Sequence, residues 1–324
     1  MSVQLIGYKR YGNPFEVLNL EEKEAEVLQE QMVRVKLLAS TIQPSDMGKI
    51  QGTYGRLAPL PAIGGREGIG EISEIGSGVK HLKVGMRVRI PEDHGVWQSE
   101  VVVPAENLIV VPPSLPIEDA VQSFINPTTA WRLLTDFVPL RPNDWVIQNA
   151  ATSCVGRCVI QLAKHWGYKT INVVRDLAVK SELEKLGADV VCTLDDLKNV
   201  KDLTHGEQPK LGLNSVGGEY ALKLIKSLDT HATLVTFGGM VGEKVRFPTR
   251  ELIFRDIQLR GFWMDAWMRT HSPLEVRTCL QNVWNLMQRK ELVLPKTVSF
   301  PLNQWRQAIE MATKQSQKKV LLVP

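Results

Sequence analysis

Chemistry is concentrated first in the stretch Asn149-Ala150-Ala151-Thr152-Ser153-Cys154-Val155-Gly156. It follows the apolar run Trp145–Gln148 and leads into a helical pattern. The first amides of a helix lack partners within it and carry the positive end of its dipole, so they attract phosphate. Small side chains let the backbone close on a pyrophosphate, and Thr152 and Ser153 add hydroxyl donors. The string is not a clean G-x-G-x-x-G, so alone it reads equally as a helix entry capped by Ser or Thr. A second run, Thr170–Val174, ends in Arg175-Asp176, about where dinucleotide folds read the ribose. A carboxylate there bonds a 2′-hydroxyl, whereas a guanidinium pairs with a 2′-phosphate. Arg175 comes first and favours NADPH, with Asp176 as the alternative reader of a plain ribose. Phe237-Gly238-Gly239-Met240 places adjacent glycines at another strand end, which suits close packing against a nicotinamide or a simple loop. Tyr54 sits in Gly52-Thr53-Tyr54-Gly55. A phenol, with a pKa near ~10, is protonated at neutral pH and can give a hydrogen bond or a proton. Taken alone, Tyr54 reads as a surface tyrosine.

These residues must be positioned by two kinds of framework. Val33–Leu38, Gly70–Ile75, Arg87–Ile90 and Val101–Val103 read as short strands broken by Gly/Pro turns, a β-rich domain of irregular barrel type. From about Pro112 the pattern changes: Ile117–Ile125 and Pro127–Phe137 read as helices. Strands Trp145–Gln148, Thr170–Val174, Val190–Cys192, Leu211–Leu213 and Ala232–Phe237 then alternate with helices Gly156–Trp166, Val179–Leu186 and Glu219–Leu228. Such alternation with short loops predicts right-handed crossovers and a doubly wound parallel sheet. Helices near Leu274–Arg289 and Leu302–Ala312 and strand Val320–Val323 close the chain. The expected domains are 1–122, completed by 265–324, and 123–264.

Composition limits the alternatives. The chain has 324 residues, 44% hydrophobic and 23% charged, with a formal net charge of +4. These are globular values, and the scattered basic residues make nucleic acid an unlikely partner while suiting an anionic substrate. No apolar run approaches the roughly 20 residues that cross a bilayer. The 4 cysteines, Cys154, Cys158, Cys192 and Cys279, have no disulfide-framework spacing. The N-terminus has no signal or transit pattern, so the expected location is cytoplasmic, or the mitochondrial matrix if a targeting segment has been removed.

Several segments together resemble the mitochondrial trans-2-enoyl-CoA reductase family and its bacterial relatives within the medium-chain dehydrogenase/reductase superfamily. They are IQPSDMGKIQGTYG (42–55), LPAIGGREGIGEISEIGSGV (60–79), VIQNAATSCVG (146–156), TINVVRD (170–176), LNSVGG (213–218), FGGM (237–240) and LRGFWM (259–264). They cover nearly the whole chain in order. The resemblance implies an α/β protein with a GroES-like β-rich catalytic domain and a doubly wound Rossmann domain, assembled as a homodimer. It implies NADPH-dependent reduction of a trans-2-enoyl thioester, as CoA or acyl-carrier-protein adduct, in fatty acid biosynthesis. It assigns Tyr54 as the catalytic phenol. It places cofactor contacts at Asn126, Thr152, Ser153, Cys154, Val155, Arg175, Phe237, Gly238, Gly239, Met240, Phe262, Trp263, Met264 and Lys318. Phe262 and Trp263 would also wall an acyl chain. Cys154 departs from the family, which carries glycine there, and Leu177 stands where some members have a second basic residue.

Zinc alcohol dehydrogenases share this fold, so metal dependence needs its own argument. Their G-H-E segment aligns with Gly65-Arg66-Glu67, putting Arg66 where a histidine ligand would stand. A guanidinium stays protonated and has no lone pair for a metal. Their first cysteine ligand falls near Ser45 and their four-cysteine loop near residues 90–110, and no cysteine occurs before Cys154. A zinc-free enzyme is therefore expected. Two alternatives remain: an NADPH:quinone oxidoreductase of the same superfamily, and an NADPH-binding structural or RNA-associated protein.

Overall fold

The computed structural model describes residues 2–240, 242, 245, 248–314 and 318–324. The chain divides into two compact units, Met1–Phe124 with Pro295–Pro324, and Ile125–Leu294.

The first unit is built on strand Met32–Thr41, whose inward residues Val33, Val35 and Leu37 are buried. It pairs antiparallel with Gly68–Ile75, with Glu100–Pro104 and, at its far end, with the C-terminal strand Lys319–Val323. The C-terminal strand thus joins the sheet built on Met32–Thr41. A smaller sheet joins Ser2–Tyr8 to Asn19–Glu24 and Ala62–Ile63. Trp97 is fully buried, and its indole nitrogen donates to the Thr41 carbonyl at 3.1 Å. Gly64-Gly65 runs across this indole. A methyl group at Gly65 would lie 2.3 Å from Trp97 Cδ1, and Gly65 has a φ of +84°, so only glycine brings the next residue, Arg66, this close to the core.

The helix Pro44–Gln51 has a weak periodic signal in the sequence, because Gly48 interrupts a mixed polar pattern. Its start is nevertheless well specified. Pro44 occupies the first turn, and the Gln43 amide donates to the Asp46 carboxylate at 2.6 Å. It ends at Gly52, in the left-handed region at φ 78°. The amides of Thr53 and Tyr54 then both return to the Gly48 carbonyl, which fixes the bend carrying Tyr54.

The second unit holds six parallel strands in the spatial order Val190–Cys192, Lys169–Val173, Trp145–Gln148, Leu211–Asn214, Thr233–Thr236, Gln258–Gly261. Numbered along the chain this is 3-2-1-4-5-6, the doubly wound order. Its central strands are covered on both faces, which explains their continuous apolar runs. Helix Pro273–Gln288 packs on Asn126–Thr135, and Gln161 exchanges two hydrogen bonds with the Val293 backbone, so 265–294 lies with this sheet.

The expected strands and helices recur here, most with ends shifted by a residue or a few. The helix expected over Ile117–Ile125 instead stops at Ala120. The Phe124 amide donates to the buried Glu67 carboxylate at 3.1 Å, and the Ser123 hydroxyl returns to the Ala120 carbonyl. Side-chain partners here outcompete the helical ladder. Strand Gln258–Gly261 and helices Thr249–Arg255 and Met264–Thr270 are additional elements.

Candidate active site

The switch point of the parallel sheet lies between strands Trp145–Gln148 and Leu211–Asn214, where chain connections leave in opposite directions and open a crevice. Side-chain amides hold the crevice floor. Asn149 Nδ2 donates to Asn214 Oδ1 at 2.7 Å, and Asn149 Oδ1 accepts from the Ser215 amide at 2.8 Å. Asn214 Oδ1 also accepts from the Gly217 amide, and its Nδ2 donates to Thr236 Oγ1. Both asparagine side chains are buried and satisfied by these partners, so the strand tips are locked without any net charge.

From this floor the turn 149–153 climbs into helix Cys154–Trp166. Ser153 is its N-cap, accepting from the Gly156 amide at 3.1 Å. A methyl group at Gly156 would lie 2.7 Å from the carbonyl oxygens of Ala150 and Ala151; glycine is what allows this tight cradle. Thr152 is exposed, and Ser153, Cys154 and Val155 are half-buried, so the amides of the first helical turn line an open edge suited to a pyrophosphate. Arg175, past the next strand tip, is exposed. Its rival Asp176 is engaged as a cap, accepting from the Ala178 amide at 2.9 Å. Phe237 and Met240 donate backbone hydrogen bonds to Asn214 and Ser215 carbonyls, at 2.9 and 3.1 Å. Between them Gly239 has open space where a side chain would go. Phe262 bonds back to Thr236, its ring meeting Phe137 edge-on at 5.8 Å. Trp263 lies under the Arg269 guanidinium at 5.0 Å, and Met264 is buried.

The strand tips therefore gather Thr152, Ser153, Cys154, Val155, Arg175, Phe237–Met240 and Phe262–Met264 along one edge of one sheet. Asn126 opens the helix packed on Cys154–Trp166. Lys318 belongs to the first unit and is exposed, whereas its neighbour Lys319 is buried and donates to the Ile42 carbonyl at 3.0 Å.

The first unit holds Tyr54, half-buried rather than on an open loop. Its ring rests near Gly48, where an added methyl would meet Tyr54 at 3.4 Å. The Arg66 guanidinium, only 4% exposed, donates through Nη1 to the Tyr54 hydroxyl at 3.0 Å. Through Nε and Nη2 it also holds Glu92 Oε2, at 3.1 and 2.5 Å. All three nitrogens of the side chain at the G-H-E position are thus in use. Arg66 and Glu92 also line a cavity of about 470 Å³, with Asp46, Lys49, Arg56 and His94. Burial pushes the Asp46 carboxyl up to about 6, although Arg66, the Gln43 amide and Lys319 pull it down. Burial likewise lowers His94. Glu67 is fully buried yet well served, accepting from Thr41, Gln43 and the Phe124 amide. Among the described residues, no group of three or more His, Cys, Asp or Glu is gathered for a metal.

Sequence reasoning did not find Glu92 or the Asn149–Asn214 pair. The asparagines had a signal, since each is a polar residue at the carboxyl end of an apolar strand. Glu92 had none: its partner is 26 residues away.

The chain matches two sequence families, the alcohol dehydrogenase GroES-like domain over residues 29–113 and the zinc-binding dehydrogenase family over residues 154–283. The mitochondrial enoyl-[acyl-carrier-protein] reductase of Rattus norvegicus is 41% identical over 324 residues, covering 96% of this chain and 86% of that one. Its Homo sapiens counterpart is 40% identical, covering 98% and 88%. Among solved structures, a putative NADPH:quinone reductase from Bacillus thuringiensis superposes with a TM-score of 0.93 at 29% identity, covering 100% of this chain and 99% of that one. The Candida tropicalis mitochondrial 2-enoyl thioester reductase heterodimer, and an Etr1p complex with NADP and crotonyl-CoA, each give 0.93 at 27% identity over 100% of both chains. The two halves of the fold and nearly the whole length of the sequence agree on one assignment. The chain belongs to the mitochondrial enoyl-[acyl-carrier-protein] reductase family of the medium-chain dehydrogenase/reductase superfamily.

Proposed function

We propose that this chain reduces the 2,3 double bond of trans-2-enoyl thioesters, carried by CoA or by an acyl-carrier protein, with NADPH as reductant. The observation that carries the reading is the Tyr54 hydroxyl, which accepts from a buried guanidinium and so has its own proton to give elsewhere. Bound NADPH supplies the hydride. The amides at Thr152–Val155 would hold its pyrophosphate and Arg175 its 2′-phosphate. Asn126, Phe237–Met240, Phe262–Met264 and Lys318 would complete its binding. Hydride addition at C3 of the enoyl group moves negative charge onto the thioester oxygen. Tyr54 offsets that charge by donating a hydrogen bond, or by passing its proton to C2. Apart from Tyr54, the protein's task is to hold donor carbon and acceptor carbon within reach and to keep water out.

We also place the reaction in the mitochondrial matrix rather than the cytoplasm, because the relatives named above are mitochondrial enzymes. No described helix is long and apolar enough to cross a membrane. The expected homodimer is supported by strand Gln258–Gly261, an exposed edge of the six-stranded sheet, flanked by exposed Ile253 and Phe254. A relative crystallised as a heterodimer points the same way.

The test is a side-by-side assay of NADPH oxidation with crotonyl-CoA and with a naphthoquinone. Turnover of crotonyl-CoA well above that of the quinone is expected. Activity on the quinone alone would overturn the proposal in favour of a quinone reductase, the activity named for the Bacillus thuringiensis neighbour.

A further inference from the structure

We propose that Arg66 is a positioning residue for the reaction: held by Glu92, it forces the Tyr54 hydroxyl to accept and so aims the phenol's proton away from itself. The inference rests on the reading of Tyr54 as the proton donor and adds how that donor is armed.

A hydroxyl has one proton to give and two lone pairs, whereas a guanidinium has donors only. At 3.0 Å from Arg66 Nη1, Tyr54 Oη can only accept from it, and its own proton must be directed to another acceptor. A rotor that would otherwise sample several directions is thereby biased. The guanidinium cannot turn away, because Nε and Nη2 are both fixed on Glu92 Oε2. Its Cζ also lies 4.9 Å from the Tyr54 ring centroid, so the cation touches both the oxygen and the face of the ring. Both members of the ion pair are shielded, with side-chain exposures of 5% for Arg66 and 16% for Glu92, where water screens little.

A cation beside a phenol also stabilises negative charge on its oxygen. Arg66 therefore favours the state in which Tyr54 has begun to give up its proton, besides fixing its direction. The other charged groups near Arg66 are Glu92 itself, Asp46 and Lys49 from helix Pro44–Gln51, the Arg56–Asp93 pair, and His94. Glu67 follows Arg66 in the chain, and Lys319 acts with Arg66 on Asp46. The spacing is also informative about specificity of residue type. Lysine brings one nitrogen in place of three, so it cannot keep the two-point hold on Glu92 while donating to Tyr54.

The experiment compares wild type, Arg66→Gln, Arg66→Lys, Tyr54→Phe and the Arg66→Gln/Tyr54→Phe double variant. Crotonyl-CoA turnover is measured across pH, with NADPH affinity and circular dichroism as controls for folding. Arg66→Gln is expected to lower kcat about ten- to a hundredfold with NADPH affinity unchanged, and to move the alkaline limb of kcat to higher pH. Arg66→Lys should recover the position of that limb but only part of the rate. In the double variant the loss should be no greater than in Tyr54→Phe alone, because Arg66 acts through Tyr54. A substrate-free readout accompanies these: ultraviolet titration of tyrosine ionisation, wild type minus Tyr54→Phe, should show the Tyr54 transition moving to higher pH when Arg66 becomes Gln. If Tyr54→Phe is inactive while Arg66→Gln keeps wild-type kcat, alkaline limb and titration, Arg66 has no positioning role. If Tyr54→Phe is itself fully active, it is the reading of Tyr54 that fails, whatever the titration shows. Should Arg66→Gln not fold, Glu92→Gln loosens the anchor while leaving the guanidinium in place; it must then reduce kcat for the inference to stand.

Discussion

The two halves of the machinery handle negative charge in opposite ways. Around Tyr54 the polar side chains are ionisable and buried or half-buried: Arg66, Glu92, Asp46 and Glu67 lie within one unit. At the strand tips of the parallel sheet the polar groups are amides and hydroxyls, the buried Asn149 and Asn214 and the half-buried Ser153 among them, and the one proposed charged contact, Arg175, sits at the exposed margin. A pyrophosphate is permanently charged and can be met by many weak, fixed dipoles that are already in place. An enolate exists only during reaction, so one strongly polarised donor must be held ready for it, at the cost of burying ions. Substitutions in the first unit should therefore act on turnover and on stability against pH, and those at the strand tips on cofactor binding.

The largest effect belongs to Tyr54→Phe. Removing one hydroxyl keeps the ring against Gly48 but deletes the donor, and kcat for an enoyl thioester should fall roughly a hundred- to ten-thousandfold. NADPH affinity, followed by fluorescence quenching, should not change, because none of the strand-tip groups is altered. Near-wild-type kcat would erase the contrast between the halves.

Next comes stability against pH. Asp46 is 1% exposed, one of its oxygens accepts the Gln43 amide, and the other is buried without a hydrogen-bond partner. Its carboxyl is raised from 3.8 to about 6, chiefly by burial. The folded protein thus holds this proton more tightly than the unfolded chain does. Its contribution to stability is complete below about pH 4 and is lost as pH rises through about 6. Asp46→Asn keeps an acceptor for Gln43 and removes the charge. The variant should gain up to about 3 kcal/mol over wild type above pH 7, and the gain should vanish below pH 4. Thermal melts at pH 4, 6 and 8 check it, and a pH-independent difference would mean that Asp46 is not the group responsible.

The sequence shows much of this contrast, and unevenly so. The parallel sheet was legible because its central strands are buried on both faces and read as apolar runs, with Asn149–Gly156 following the first of them. Arg175 followed from its place after Val174. By contrast, helix Pro44–Gln51, which delivers Tyr54, carries a central glycine and little apolar period. Its start signals, Pro44 and Asp46, are local and were there to be read. Arg66 was recognisable as unable to bind a metal, but its task was not, since Glu92 and Tyr54 meet it only through the packing of Gly65 on Trp97. Pairings between distant segments leave no periodic trace in a sequence, and the charged half depends on them more than the neutral half does.

Arg175→Ala probes the one cation proposed for the neutral half. Charge-assisted bonds to a phosphate are worth about 1.5–3 kcal/mol, so KM for NADPH should rise roughly ten- to a hundredfold while KM for NADH stays nearly constant. Asp176 is engaged in capping the Leu177–Val179 turn, which on this reading would leave the discrimination to Arg175. Equal losses for both cofactors would assign Arg175 a structural role instead.

The smallest effect should come from Ser153→Ala, and its smallness is the informative part. Ser153 Oγ accepts the Gly156 amide at 3.1 Å as the N-cap of helix Cys154–Trp166. Losing a cap of this kind costs about 1 kcal/mol, visible as a modest drop in melting temperature. If the pyrophosphate were held by the Ser153 hydroxyl, the same change would also raise KM for NADPH by tenfold or more. If the amides hold it, the backbone survives the substitution, supported by the Ser153 amide bond to Ala150 and by Gly156 packed on the carbonyls below it, and KM should move less than about threefold. A small change in KM together with lost stability would separate a cradle made of backbone from one made of side chains, and so place the cofactor half firmly on the neutral side of the comparison.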